Sequence, residues 1–208
     1  MRKACFIAIL TAFICAGVAG FGSAGMDLGV SIGDDGLKSF YFAVSDHYRV
    51  PEGDVVAIKK KNVSHEELPV VFFIAKRARV SAETVIGLRL GGSSWMDISL
   101  RFGLTPDIYY VPVKKAGGPP YGKAYGHYKN KPKNQWGTIR LSDSDVVNMV
   151  NLKFISEHYG YSPDEVIHMR SAGKNFVLIN SEVKKKKSAG KKNKSGVKNA
   201  STAGKGKG

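Results

Sequence analysis

Two segments of the chain, FIAKRARVSAETVIGLRLGGSSWMDI (Phe73–Ile98) and FISEHYGYSPDEVIHMRSAGKNFVLI (Phe154–Ile179), align without a gap at an offset of 81 residues. Such an internal match constrains the fold strongly. Each copy is one supersecondary unit that buries its apolar face only by packing on a neighbour. Phe, Ile, Ser, Val, Ile, Arg and Gly recur at matched positions, and Trp95 stands opposite Phe176. A third copy, SDHYRVPEGDVVAIKKKNVSHEEL (Ser45–Leu68), aligns with Ser156–Ile179 at an offset of 111. The copies span about 42–70, 73–102 and 154–182, with an insertion at 103–141 between the last two.

Each unit reads as a helical hairpin. Pro51, Ser81 and the pair Ser162-Pro163 open a helix, since serine caps and proline suits the first turn. Acids follow at Glu52, Asp54, Glu83, Asp164 and Glu165, facing the positive helix end. The apolar pairs Val55-Val56, Val85-Ile86 and Val166-Ile167 form the buried stripe. Lys59, Arg89 and Arg170 sit in the last turn, where the negative end favours a cation. Asn62, Gly92 and Gly173 then supply a residue able to take positive φ, and a second helix begins. For Arg89 and Arg170 a local ion pair explains more than an anion site does. Helices are also expected over Asp35–Arg49, Glu66–Arg79 and Asp143–Tyr159, while Ile108–Val113 is the best strand candidate. The fold class is therefore all-α, three helical-hairpin repeats in a domain spanning 26–183.

Charge is segregated. The net charge is +15, yet the acid-free stretch Ile108–Ser142 alone carries +7 and Lys184–Gly208 carries +10. With +2 in the first residues, everything else is net −4. A near-neutral body with basic arms argues against a folded basic DNA-binding face. Within the insertion, Tyr121, Tyr125, Tyr128 and Trp136 alternate with Lys123, Lys129 and Lys131, with His127 among them. Aromatic faces and lysines together make a candidate binding surface for an anionic ligand. The competing expectation is an extended strap whose tyrosines pack while its lysines stay solvated. The tail at 184–208, opening with Lys184, Lys185, Lys186 and Lys187, is low-complexity and expected to be disordered. Its lysines are the other candidate contacts to a polyanion.

The first 25 residues hold a basic start, an apolar run and small residues, the layout of a secretory signal peptide. Cys5 and Cys15 lie inside it, so no disulfide or thiolate chemistry is expected after cleavage. Phe13 and Ile14 occupy positions where a lipidation motif wants small residues. No metalloprotease, nucleophile-elbow, phosphate-loop or dinucleotide motif is present. No catalytic residue, metal site or cofactor is expected. His47 and His158 fall at equivalent positions, each in an acid-His-Tyr triplet.

The pattern S-x-[ED]-x-V-I-x-[LM]-R-x-x-G-x-[SN]-[WF]-x-x-I resembles a repeat in exported bacterial proteins of unknown function. Those proteins likewise have a Gly/Pro/Tyr-rich middle and a lysine-rich end, and the resemblance implies no activity. Copy one departs from the pattern at His65, in place of Trp or Phe, and at Asn62, in place of Gly. Each copy also resembles the small helix-turn-helix units of recombinases and sigma factors. The resulting expectation is a non-enzymatic protein of the periplasm or cell envelope that binds an anionic polymer, a lipid surface or a protein partner. No membrane span is expected once the leader is removed. A nucleic-acid reader and an enzyme acting on envelope glycans are the alternatives.

Overall fold

The computed structural model describes residues 33–115 and 118–202, with side chains as far as residue 189. The expected leader lies outside the described residues. Within them the chain is all-helical and contains no strand. Its α-helices are α1 (Asp34–Tyr48), α2 (Glu52–Lys59), α3 (Leu68–Ala78), α4 (Ala82–Leu90), α5 (Trp95–Arg101), α6 (Gly122–Lys129), α7 (Asp143–Tyr159), α8 (Pro163–Ser171) and α9 (Phe176–Thr202). Ile108–Val113 is no strand. Pro106–Tyr109 forms a 3-10 turn and extended coil follows.

Helix starts follow local chemistry. Ser81, Ser142 and Ser162 each accept a hydrogen bond from a backbone N–H of the first turn. Asp145 and Glu165 complete capping boxes by reaching back to Ser142 and Ser162. The α3 run from Leu68 to Ala75 is buried all round. It packs on α7 at the centre of the molecule, with α1, α4 and α5 around it and α8 and α9 beyond.

Matched positions take matched backbone conformations. The second break in each unit is left-handed, with φ 63° at Asn62, 91° at Gly92 and 86° at Gly173. Glycine holds that conformation without a Cβ clash. The preceding helices α1, α3 and α7 also end left-handed, at Arg49, Arg79 and Gly160. At the two arginines the strain is offset by a closing bond one residue on: Val50 N–H donates to Ser45 O and Val80 N–H to Ala75 O, both at 3.1 Å.

Carboxylates from outside each unit hold the last two hairpins shut. Arg89 donates to Glu67 at 2.8 Å and to Asp143 at 2.5 Å, and its guanidinium lies over the Trp95 ring. The other oxygen of Asp143 accepts Trp95 N–H at 2.8 Å. Arg170 repeats the arrangement. It reaches Glu66 at 3.4 Å and Asn148 at 3.2 Å and covers the Phe176 ring, while Glu66 accepts Phe176 N–H at 2.7 Å. Each carboxylate thus binds a cation and an orphan N–H at the start of a second helix. Partial burial opposes the charge of Arg89, but the hydrogen bonds it donates to Asp143 and Glu67 raise its pKa.

The expected tail begins at Lys184, and its residues 203–208 lie outside the described residues. The backbone stays helical to Thr202, as a continuation of α9. Phe176, Val177, Ile179 and Val183 are buried and form the helix nucleus. The lysine-rich, proline-free sequence beyond extends it at one hydrogen bond per residue.

Replacing Glu66 by Gln should cost about 1–3 kcal/mol in urea unfolding, because charge-assisted bonds to Arg170 and Phe176 N–H weaken together. Exposed Glu52→Gln on α2 should stay within about 0.5 kcal/mol.

Candidate functional site

Residues 103–141 contain the 3-10 turns Pro106–Tyr109 and Lys133–Thr138 on either side of α6. Tyr121, Tyr125 and Tyr128 stand at i, i+4 and i+7 across the start of α6, and all three are buried. Tyr125 OH donates to Val111 O at 2.8 Å and Tyr128 OH to Pro106 O at 2.6 Å. Tyr110, Tyr128 and Trp136 stack into a small aromatic core, with Tyr110 and Trp136 centroids 4.6 Å apart. The Trp136 indole N–H is shared between Tyr128 O and Lys131 O. Burial pushes the phenol groups of Tyr121, Tyr125 and Tyr128 well above their ordinary pKa. These three rings therefore pack inside the molecule. Their i, i+4, i+7 spacing already signalled a helix face. Trp136 and His127 are half-buried, and Lys123 and Lys129 are exposed. Lys131 donates to Thr138 Oγ1 at 3.0 Å.

A further run of lysines lies in the first half of α9. Lys184, Lys185, Lys186 and Lys187 are exposed, immediately beyond buried Val183. Lys184 Nζ donates to Ser39 Oγ at 3.0 Å, and Lys187 Nζ lies 5.7 Å from the centre of the Tyr159 ring. The root of the basic arm is thus oriented against α1 and α7. The arm and the insertion lysines form no common cluster in the contacts of the described residues.

The two acid-His-Tyr triplets meet. His47 of α1 faces Glu157 of α7 at 3.8 Å, and His158 of α7 faces Asp46 of α1 at 3.7 Å. The imidazole centroids are 6.0 Å apart, and both rings contact Phe154. Each histidine is crossed with the acid of the other triplet. Burial lowers the pKa of His47 and His158, while Glu157 and Asp46 act the other way. His65, bonded through Nδ1 to Tyr41 OH at 2.8 Å, is also lowered by partial burial and by Lys59. Nothing in the chain's local pattern reveals the crossing, which depends on how α1 and α7 pack.

The second helix of the middle matched segment, α5, has a mixed surface. On α5, Trp95, Met96, Ile98 and Ser99 are buried, and the exposed positions are Asp97 and Arg101. Among the described residues no group of three or more His, Cys, Asp or Glu could hold a metal ion. No helix there is long and apolar enough to cross a membrane. No family model, curated protein or solved structure matches the chain.

Acid should weaken the fold through three histidines. A folded-state pKa below the ordinary 6.5 means that the unfolded chain binds more protons once pH falls toward that value. Stability present above about pH 6.5 should decline progressively down to the lower folded-state values. Thermal melts between pH 7.5 and 5 should show the fall, and a triple His47→Gln, His65→Gln, His158→Gln variant should flatten it. In the insertion, Tyr128→Phe should cost about 1–2 kcal/mol by stranding a buried carbonyl. Lys129→Ala should stay within about 0.5 kcal/mol, both read by urea unfolding.

Proposed function

We propose that the chain is a non-enzymatic, exported cell-envelope protein, a scaffold of three helical-hairpin copies that binds an anionic polymer through its lysine arm. The observation that carries this reading is the change of surface along α9 after Val183. A buried stretch ending at Val183 leads straight into four exposed lysines on the same helix. A helical root anchored on the body holds those charges together, so less ordering is needed when a polyanion binds.

The other charged groups support the same division. Glu66, Glu67 and Asp143 are occupied by arginines and helix N-termini, which leaves them unsuited to general acid–base work. Arg89 and Arg170 are paired and stacked on aromatic rings, so their charge is spent inside the fold. The near-equal left-handed turns at Asn62, Gly92 and Gly173 support three copies of one unit. Export rests on the leader-like first residues. On α5, the opposite charges of Asp97 and Arg101 favour the polyanion-arm reading over a sequence-specific nucleic-acid reader.

Titration of the full chain with heparin and with random and selected DNA duplexes, at several salt concentrations, tests the proposal. Binding should weaken steeply with salt and show little preference among duplexes. Changing Lys184–Lys187 to alanine should lower the log–log salt slope by about 3. Its stability should move by less than about 1 kcal/mol, because these side chains are exposed. Retained affinity in that variant, or a preference for one duplex, would overturn the reading.

A further inference from the structure

A notch of about 310 Å³ opens where the ends of α1 and α3 meet α7. Its inner wall is formed by the nearly buried rings of Tyr48 and Phe73. Lys76 and Arg77 of α3 border it on one side and Lys153 of α7 on the other, with His47 and Glu157 completing the rim. Three permanent cations therefore face one carboxylate. That carboxylate is already engaged, 3.5 Å from Lys153 Nζ and 3.8 Å from His47 Nε2. Lys76 and Arg77 have no salt-bridge partner among the described residues. Arg77 is held in place, with its guanidinium carbon 5.4 Å from the centre of the Phe73 ring.

We propose that this notch is a binding site for a tetrahedral oxyanion, a sulfate or phosphate group carried on an anionic polymer. The volume reaches the lower end of ordinary ligand pockets, enough for one charged group and part of its neighbour. Cations approaching from two helices suit an anion with oxygens pointing in several directions; a planar carboxylate would satisfy one side of the notch. The polymer follows from the reading under Proposed function, on which this inference rests. His47 contacts His158, and His158 adjoins Tyr159, over which Lys187 lies. Notch and lysine arm thus flank one seam, within reach of a single chain.

Proton and anion binding are linked at this site. His47 faces Glu157 and Lys153 of α7, Lys76 and Arg77 of α3, and His158, with Asp46 on its own helix; Lys187 acts on His158 from α9. A bound dianion beside His47 favours the imidazolium, so mild acid should tighten binding, and the anion should in turn hold the proton.

An NMR titration of the full chain with sulfate tests this, at pH 7.5 and 5.5 and at ionic strength held constant with chloride. Sulfate stays doubly charged across that range, so any pH effect belongs to the protein. Backbone shifts should cluster at His47, Lys76, Arg77 and Lys153, with affinity about 5-fold or more tighter at pH 5.5. The exposed pair Lys76→Ala, Arg77→Ala should abolish the response with its circular dichroism unchanged. His47→Gln should keep binding at pH 7.5 and lose the gain in acid. The Lys184–Lys187→Ala chain should bind sulfate like the parent, so failure of the arm and failure of the notch are separately visible. A heparin oligosaccharide should compete for the notch. Shifts spread over all lysines, a full response in the Lys76, Arg77 variant, or competition by phosphatidylglycerol vesicles alone would overturn the proposal.

Discussion

The fold depends on carboxylates that do two jobs at once. Glu66 neutralises Arg170 and accepts the first N–H of α9, and Asp143 does the same for Arg89 and α5. A short helix start carries unpaired N–H groups, and a helix-end arginine needs a counter-charge. One carboxylate placed between them answers both needs. Glu66 and Glu67 are adjacent in the 3-10 turn His65–Glu67, so neighbouring residues of the first unit clamp the third and the second. The peptide carbonyl of Glu66 also accepts from Asn151 of α7 at 2.7 Å. Loss of this turn would release four contacts, to Arg170, Phe176 N–H, Arg89 and Asn151.

The three matched sequence segments differ in this arrangement. In the second and third, an arginine stacks on Trp95 or Phe176 and is bound by an acid from elsewhere. In the first, Lys59 replaces the arginine and His65 the aromatic ring. His65 instead bonds to Tyr41 on the preceding helix. The first unit therefore gives up receiving a clamp, and its acids at 66 and 67 supply clamps to the others. A lysine cannot reproduce the fork that lets Arg89 hold Glu67, Asp143 and Ser93 O together.

Much of the helix pattern was legible because its causes are local. The serine caps, the positive-φ glycines and the span Asp143–Tyr159 all follow from residues a few positions apart. The partners of Arg89 and Arg170 were not legible, since they lie 54 and 104 residues away. The candidate site divided along the same line. Aromatic-lysine alternation at 121–136 suggested a ligand face, but the tyrosine spacing matched a helix stripe whose hydroxyls find backbone carbonyls. Gly122 and Gly126 weaken helix propensity, so α6 owes its existence to ring packing, which composition cannot show. In the arm the backbone continues α9 as far as Thr202. Its lack of apolar residues rules out a core of its own, but not a helix nucleated by the buried turns before it.

Separating bound from free cations has a physical consequence for any surface the protein meets. Arg89 and Arg170 inside the array are partly buried, stacked and paired, so carboxylates offset much of their charge. The lysines at 184–187, and Lys76 and Arg77 beside the crossed histidines, sit where water and counterions reach them. The proposed attraction to a polyanion would therefore change through exposed side chains without disturbing the clamps that close the hairpins. The reverse does not hold. The crossed pairs His47–Glu157 and His158–Asp46 lie between the notch and the arm, and their rings pack on Phe154 in the core. Protonation there alters the charge seen by both basic regions and the contact that joins α1 to α7. This seam is the place where ligand charge and fold stability share the same atoms.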